Sequence, residues 1–295
     1  MRVLIAGSTG VIGRALVPLL EATGHEAIGL SRAQGVDLLD ADAVRKAVRQ
    51  AAPDAVLHMA TAIPGSLNPR KLSRDFALTN RLRTEGTRNL VTAAREIGVG
   101  RIISQGVAFG YEPGPGVANE DVPLWTEGAP KQFAPAVDAI VELERRTAEA
   151  DGLVLRFGHL YGPGTAYDAE GSFTTMVRAG KLPQIGAGES VYSFTDTHDA
   201  ATAIIAALDK PKVTGVLNIV DDEPRLIRDW LPEFARSLGA PAPKRLPVWL
   251  ARLAVGSFGV LWMNGLRGAD NARARLTLDW RPRHPRFSPA LDTAA

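Results

Sequence analysis

At 295 residues, with 34 Lys and Arg against 32 Asp and Glu, the chain carries a formal charge of only +2 and scatters its basic residues, which disfavours nucleic acid as a partner. It contains no cysteine, so disulfides, thiol nucleophiles and zinc–thiolate sites are excluded, and nothing points to an oxidising compartment. The length suffices for a large core, in one domain or in two unequal ones.

The apolar run Val3-Leu4-Ile5-Ala6 reads as a strand and is too short for a signal peptide. It leads into Gly7-Ser8-Thr9-Gly10-Val11-Ile12-Gly13, a glycine turn that opens a helix. Glycines at this spacing let the chain reverse and let backbone N–H groups approach a pyrophosphate, whose charge the positive end of the helix favours. Val11, Ile12, Ala15, Leu16, Leu19 and Leu20 recur at helical spacing, and Gly24 ends the segment. Pro18 costs that helix a hydrogen bond and raises the question of a kink. Ala27-Ile28-Gly29-Leu30 is a second strand, which completes a βαβ unit of about 30 residues.

Beyond it the pattern predicts a helix at 41–51, a strand at 55–58, a long helix at 71–97, a strand at 101–104, a helix at 136–150 and a strand at 153–157. That is the rhythm of a parallel sheet covered by helices on both faces. After Phe157, Gly and Pro cluster in 160–164 and 181–188, followed by a helix at 200–208, a strand at 216–220 and a helix at 226–238. The apolar run 246–263 is interrupted by Pro247, Arg252, Gly256 and Gly259. It reads as a buried helix pair or a pocket wall, since a membrane span takes roughly 20 mostly apolar residues. The expected fold class is therefore α/β: a doubly wound parallel sheet of Rossmann type from residues 1–160 with 190–215, and a smaller, mostly C-terminal α+β substrate-binding part from 161–189 with 216–295. A cytoplasmic location, a small-molecule substrate, no membrane association and no metal complete this expectation.

Taken together, these segments resemble the extended short-chain dehydrogenase/reductase family, the NAD(P)-dependent epimerases, dehydratases and reductases. The resemblance spans nearly the whole chain: GSTGVIG at 7–13, GVDLLD at 35–40, DAVLHMAT at 54–61, NRLRTEGT at 80–87, LRFGHLYGPG at 155–164, LNIV at 217–220 and NARARLTLDWRP at 271–282. It implies that Gly7, Thr9, Gly10, Val11, Ile12 and Gly13 cradle the pyrophosphate and that Asp37 and Leu38 flank the adenine. Met59, Ala60 and Thr61 would line the ribose side, with Asn80 near them, and Phe157, Gly158 and His159 would lie near the nicotinamide. NAD-using relatives carry an acidic residue at the end of the second strand, where Ser31 and Arg32 stand here. A hydroxyl and a guanidinium suit a 2′-phosphate, and Arg14 is expected to point to the same region, so NADP(H) is favoured over NAD(H). The resemblance also implies a homodimer through the helices near 71–97 and 136–150.

Family catalysis uses a Tyr, a Lys four residues later and a Ser or Thr. No YxxxK motif exists here: four residues after Tyr111, Tyr161, Tyr167 and Tyr192 stand Pro115, Thr165, Gly171 and Asp196. Aligning Glu142 with the glutamate that follows the motif puts Ala134 at the tyrosine's place and Asp138 at the lysine's, while Gln105 takes the hydroxyl position. Asn80 is the remaining member of the tetrad, with a largely structural role. Replacement acids are sought in His159, Tyr161, Tyr111, Asp138 and the pair Asp196 and His198, each of which also has a plain structural reading. Tyr192 stands where nucleotide-sugar enzymes of the family show an Arg, which points to a less charged organic substrate. The leading expectation is an NADP(H)-dependent oxidoreductase acting on a small carbonyl, alcohol or conjugated compound with non-standard proton transfer. The alternatives are a non-redox isomerase, dehydratase or cyclase on the same fold, and an inactive NADP(H)-sensing binding protein.

Overall fold

The computed structural model describes residues 1–65, 67, 68 and 70–288. The first half of the chain runs β1 (Arg2–Ala6), α1 (Val11–Ala22), β2 (Glu26–Leu30), α2 (Ala41–Ala51), β3 (Ala55–His58), α3 (Leu72–Asp75), α4 (Ala77–Arg81), a π-helical turn (Leu82–Gly86), α5 (Thr87–Glu96), β4 (Arg101–Val107), α6 (Ala134–Ala148) and β5 (Leu153–Phe157). The second half continues with β6 (His159–Tyr161), α7 (Ser172–Arg178), β7 (Gln184–Ile185), β8 (Val191–Tyr192), β9 (Phe194–Asp196), α8 (Thr197–Leu208), β10 (Gly215–Ile219), β11 (Arg225–Leu226), α9 (Ile227–Ser237), β12 (Arg245–Leu246), α10 (Val248–Asn264) and α11 (Ala272–Leu278).

Six parallel strands form the central sheet in the order β10-β5-β4-β3-β1-β2. Their residues are apolar on both faces, as a doubly covered parallel sheet requires. Val3, Ile5, Leu57, Ile103, Leu155 and Leu217 pack against Ile12, Leu16, Ala200 and Ile204 of α1 and α8. Leu4, Ala6, Val56 and Ile102 pack instead against Val44 and Val48 of α2 and Leu90 and Ala94 of α5. A second apolar cluster, with Tyr161, Tyr167, Tyr192, Phe194, Trp230 and Phe287 at its centre, holds the short strands and helices of the later segments together.

Four expectations change. Helix α1 is continuous through Pro18, which leaves only the Arg14 carbonyl without its usual partner. The long helix of 71–97 is divided into α3, α4, the π turn and α5. The strand assigned to the C-terminal part, 216–220, is an edge strand of the main sheet, in register from Gly215 opposite Leu153 to Ile219 opposite Phe157. Ala274, Leu278 and Trp280 then follow it into the core beneath α8, so a boundary at residue 215 cuts through one packed layer. Helix α10 is broken at Gly256 (φ 74°), and its first half is not buried: Trp249 is 67% and Leu253 69% exposed. No helix among the described residues is long and apolar enough to cross a membrane.

One buried ion pair locks α6 to the sheet. Arg156 on β5 donates to Glu144 on α6 through Nε (2.7 Å) and Nη2 (2.6 Å), and to the Tyr111 hydroxyl through Nη1 (2.8 Å). Tyr111 in turn donates to Asn218 of β10 (2.6 Å). Burial works against the Arg156 charge, but the bonds and field of Glu144 more than offset it and raise its pKa. Removing one member of such a pair leaves an uncompensated buried charge. Glu144→Gln is expected to lower the unfolding free energy in urea by about 3–5 kcal/mol; a loss no larger than the ~1 kcal/mol of an exposed pair would contradict this account.

Candidate active site

The glycine turn stands at the carboxyl end of β1, beside the ends of β3, β4 and β5, where open parallel sheets form their ligand crevice. Gly7 adopts φ 95°, and a Cβ there would lie 2.8 Å from the backbone of Met59 and Ala60. A Cβ on Gly13 would overlap the carbonyl oxygens of Gly7 and Ser8. Gly10 caps α1 without any side-chain hydrogen bond, so the amides of the first turn keep their donors free for an anion. The turn fits a pyrophosphate on this geometry. At the end of β2, Ser31 Oγ donates to Gln34 Oε1 (2.9 Å), Arg32 is exposed, and a Cβ on Gly29 would lie 2.7 Å from both Ser8 Oγ and Gln34 Nε2. Ser8 and Gln34 therefore join Ser31 at this end; neither polar side chain forms a sequence pattern that marks it beforehand. Asp37 accepts from the Leu39 amide (3.0 Å), and Leu38 is buried with its carbonyl bound by Asn89 (2.9 Å).

Arg14 does not join Arg32. Its Nη1 donates weakly to Thr9 O (3.4 Å), and its guanidinium lies against Gly164 in the turn after β6. It stands beside the glycine turn on the side of the later strands, because α1 presents residue 14 away from β2.

Just past the end of β5, Gly158 can approach the segment leading into β9 only for want of a side chain, since a Cβ would overlap the Ser193 carbonyl. His159, 6% exposed, is stacked between Phe109 (ring centroids 4.6 Å) and Tyr192 (3.9 Å), with Trp262 edge-on at 5.2 Å. Its Nε2 has no hydrogen-bond partner, and burial pushes its pKa down to about 3. Tyr192 and Tyr161 are raised by burial; their hydroxyls donate to the carbonyls of Trp262 and Arg286 (3.3 Å each). Gln105, Phe109 and Trp262 are half-buried and leave part of their surface open. Asn80 is half-buried with Oδ1 unpartnered, and Met59 is buried under the turn, while Thr61 is exposed.

Residues 3–219 match the NAD dependent epimerase/dehydratase family. The chain is 44% identical over 309 residues, 99% of both proteins, to a Streptomyces 3-diazoavenalumate denitrifying reductase, and 30% identical, over 99% of its own length and 98% of the other, to epimerase family protein SDR39U1 of Bos taurus. The chain belongs to the NAD-dependent epimerase/dehydratase family. A solved structure of human SDR39U1 isoform 2 with NADPH shares the fold at TM-score 0.75 and 22% identity, over 97% of this chain and 96% of that one.

Within that family the departures at the catalytic places are now located. Asp138 is exposed on α6, flanked by buried Val137 and Ala139, so it faces away from the aromatic stack. Tyr161 belongs to the second apolar cluster, where Phe194 and Phe287 meet its ring edge-on. Asp196 caps α8 by accepting from the His198 amide (2.7 Å), and Asp199 accepts the amides of Arg283 (3.0 Å) and His284 (2.8 Å), clasping the C-terminal segment to α8. Asp196, Asp199 and His284 gather their ligand atoms within 4.8 Å, but these contacts already account for the cluster. A surface depression of about 260 Å³ between α2 and α5 contains none of the residues of the aromatic stack.

His58, at the end of β3, is likewise held neutral: burial foremost, with Arg83 adding to it, lowers its pKa to about 4 against a bond to the Leu82 carbonyl. Both histidines have folded pKa values below the ordinary 6.5, so the unfolded chain binds more protons below that pH. Their contribution to stability is complete above pH 6.5 and is lost as pH falls towards 4 and 3. His159→Phe is therefore expected to flatten the dependence of unfolding free energy on pH between 6 and 4.5, by up to about 1.4 kcal/mol per pH unit. Identical slopes for variant and wild type would show that the imidazole is not buried as described.

Proposed function

We propose that this chain is an NADP(H)-dependent reductase that replaces the diazonium group of a carboxylated arene by hydrogen and releases dinitrogen. The observation that carries this reading is the state of His159: it follows β5, where the family resemblance puts the nicotinamide, yet it is stacked, its Nε2 is unpartnered, and burial keeps it neutral. Tyr161 and Tyr192 are raised and turned to backbone carbonyls, and Ala134 stands where the family tyrosine is expected. Reduction of a carbonyl needs a proton on the developing alkoxide, and a positioned acid contributes roughly 10²–10⁴ to the rate. A diazonium needs none. When bound, reduced nicotinamide supplies a hydride: one C–H bond forms, the C–N bond breaks with its electron pair leaving on N₂, and no proton is taken up or released. The name of the Streptomyces relative, at 44% identity along the full length, supports this reaction class.

The protein's own groups then bind, orient and exclude water. The amides at the start of α1 would receive the pyrophosphate, and Ser31 and Arg32 would receive the 2′-phosphate. Phe109 and Trp262, half-buried and nearly perpendicular to each other, leave aromatic surface against which a flat, electron-poor cation would pack favourably. A protonated His159 would repel that cation, and its low pKa keeps the imidazole neutral throughout the working range. The apolar wall also keeps water from the carbon that would otherwise be hydroxylated. Two outcomes are expected with 3-diazoavenalumate as the probe. Turnover is flat from pH 6 to 9 with a solvent deuterium isotope effect near unity, and Arg32→Ala weakens NADPH binding roughly 10- to 100-fold while leaving NADH binding unchanged. A rate that follows a single ionisation, or a large solvent isotope effect, would place a proton transfer in the reaction and overturn the proposal.

A further inference from the structure

Arg83 is the least explained cation of the fold. It lies in the π-helical turn, 4% exposed, and among the described residues its guanidinium has no hydrogen-bond or ion-pair partner; burial alone sets its pKa, at about 10. Of the two other buried arginines, Arg156 is paired with Glu144, and Arg101 donates to the carbonyls of Ala207, Pro211 and Val213 while its Nε stays unpartnered. A guanidinium on so buried a residue, with no carboxylate beside it among the described residues, is suited to an anionic group supplied from outside the chain.

Its surroundings say which group. The carbonyl of the preceding residue, Leu82, is bonded to His58 Nε2 (3.1 Å) at the carboxyl end of β3. One turn earlier, Thr79 accepts the Ala62 amide (3.0 Å) just beyond the 59–61 segment. Arg83 is thus placed at the wall of the crevice between the glycine turn and β4, where His58 Nδ1 and Asn80 Oδ1 are also buried without partners. The turn that carries it packs on α6, whose own side chain at the family lysine's place is the exposed Asp138. π-Turns inside α-helices often mark functional sites.

We propose that Arg83 binds the ribose-phosphate of the nicotinamide half of the cofactor, supplying from the β3–β4 wall the cation that α6 lacks. The proposal rests on the crevice holding NADP(H), and the test separates the two. Wild type, Arg83→Met and Arg83→Lys are titrated calorimetrically with NADPH and with 2′,5′-ADP, which lacks the nicotinamide half, and their melting temperatures are taken without ligand. Arg83→Met is expected to weaken NADPH about tenfold or more, to leave 2′,5′-ADP within about twofold, and to raise the unliganded melting temperature, with Arg83→Lys recovering most of the NADPH affinity. An arginine with a merely structural role would give the opposite sign in the melt and equal losses for both ligands, and either result overturns the assignment. Unchanged NADPH binding in Arg83→Met overturns it alone, whereas a wild type that binds neither ligand overturns the cofactor reading with it.

Discussion

Backbone meets backbone where the turn after β1 crosses the end of β3, and the crevice depends on that contact. Gly7 lies so close to Met59 and Ala60 that a single methyl group would force the two segments apart. The Met59 amide, bonded to the Ala6 carbonyl (2.8 Å), continues the β1–β3 ladder to the same point. With the turn pressed down, the first amides of α1 face the cleft, and with β3 held at its end, the π turn and Arg83 are brought to the opposite wall. A bulkier turn would lose the anion cradle and displace that wall together.

Desolvation then decides which chemistry the crevice can support. The Arg156 charge is buried with partners, Glu144 and Tyr111. In the aromatic stack, by contrast, His159 has only rings for neighbours, and the cheaper course is to stay neutral. Asp221 follows the same rule in the apolar second cluster, where burial raises its carboxyl to about 8. On the proposed reading, such a site would hold a flat aromatic molecule away from water and withhold a proton from it. A neutral, unpartnered imidazole offers no proton to a developing alkoxide, which is why the proposed substrate is one whose leaving group departs as a neutral gas.

Much of this was legible in the order of residues. The βαβ unit, the parallel rhythm and the glycine turn are local patterns, and local patterns survive folding, as β1, α1 and β2 show within a residue or two. The absence of a YxxxK motif was equally plain, since it needs only counting. What escaped depends on direction and on tertiary packing. Arg14 sits one residue past the last glycine, but the turn of α1 sends it to Gly164, not to Arg32. The edge strand β10 follows a run of loops that looked like a change of domain, and only pairing with β5 assigns it to the main sheet. The π turn left no trace in the spacing of apolar residues. Arg83 could have been noticed as a charge on the stripe formed with Thr79, Thr87, Leu90 and Ala94, all of which are buried.

The account stands or falls on where the new hydrogen comes from. The direct measurement is the fate of label when the protein is given 3-diazoavenalumate and NADPH deuterated at C4 of the nicotinamide in ordinary water, with evolved N₂ measured alongside. Deuterium at the ring carbon that bore the diazo group, with one N₂ released for each NADPH oxidised, is the result this structure predicts. Protium from solvent at that carbon, or N₂ release without NADPH oxidation, would contradict it.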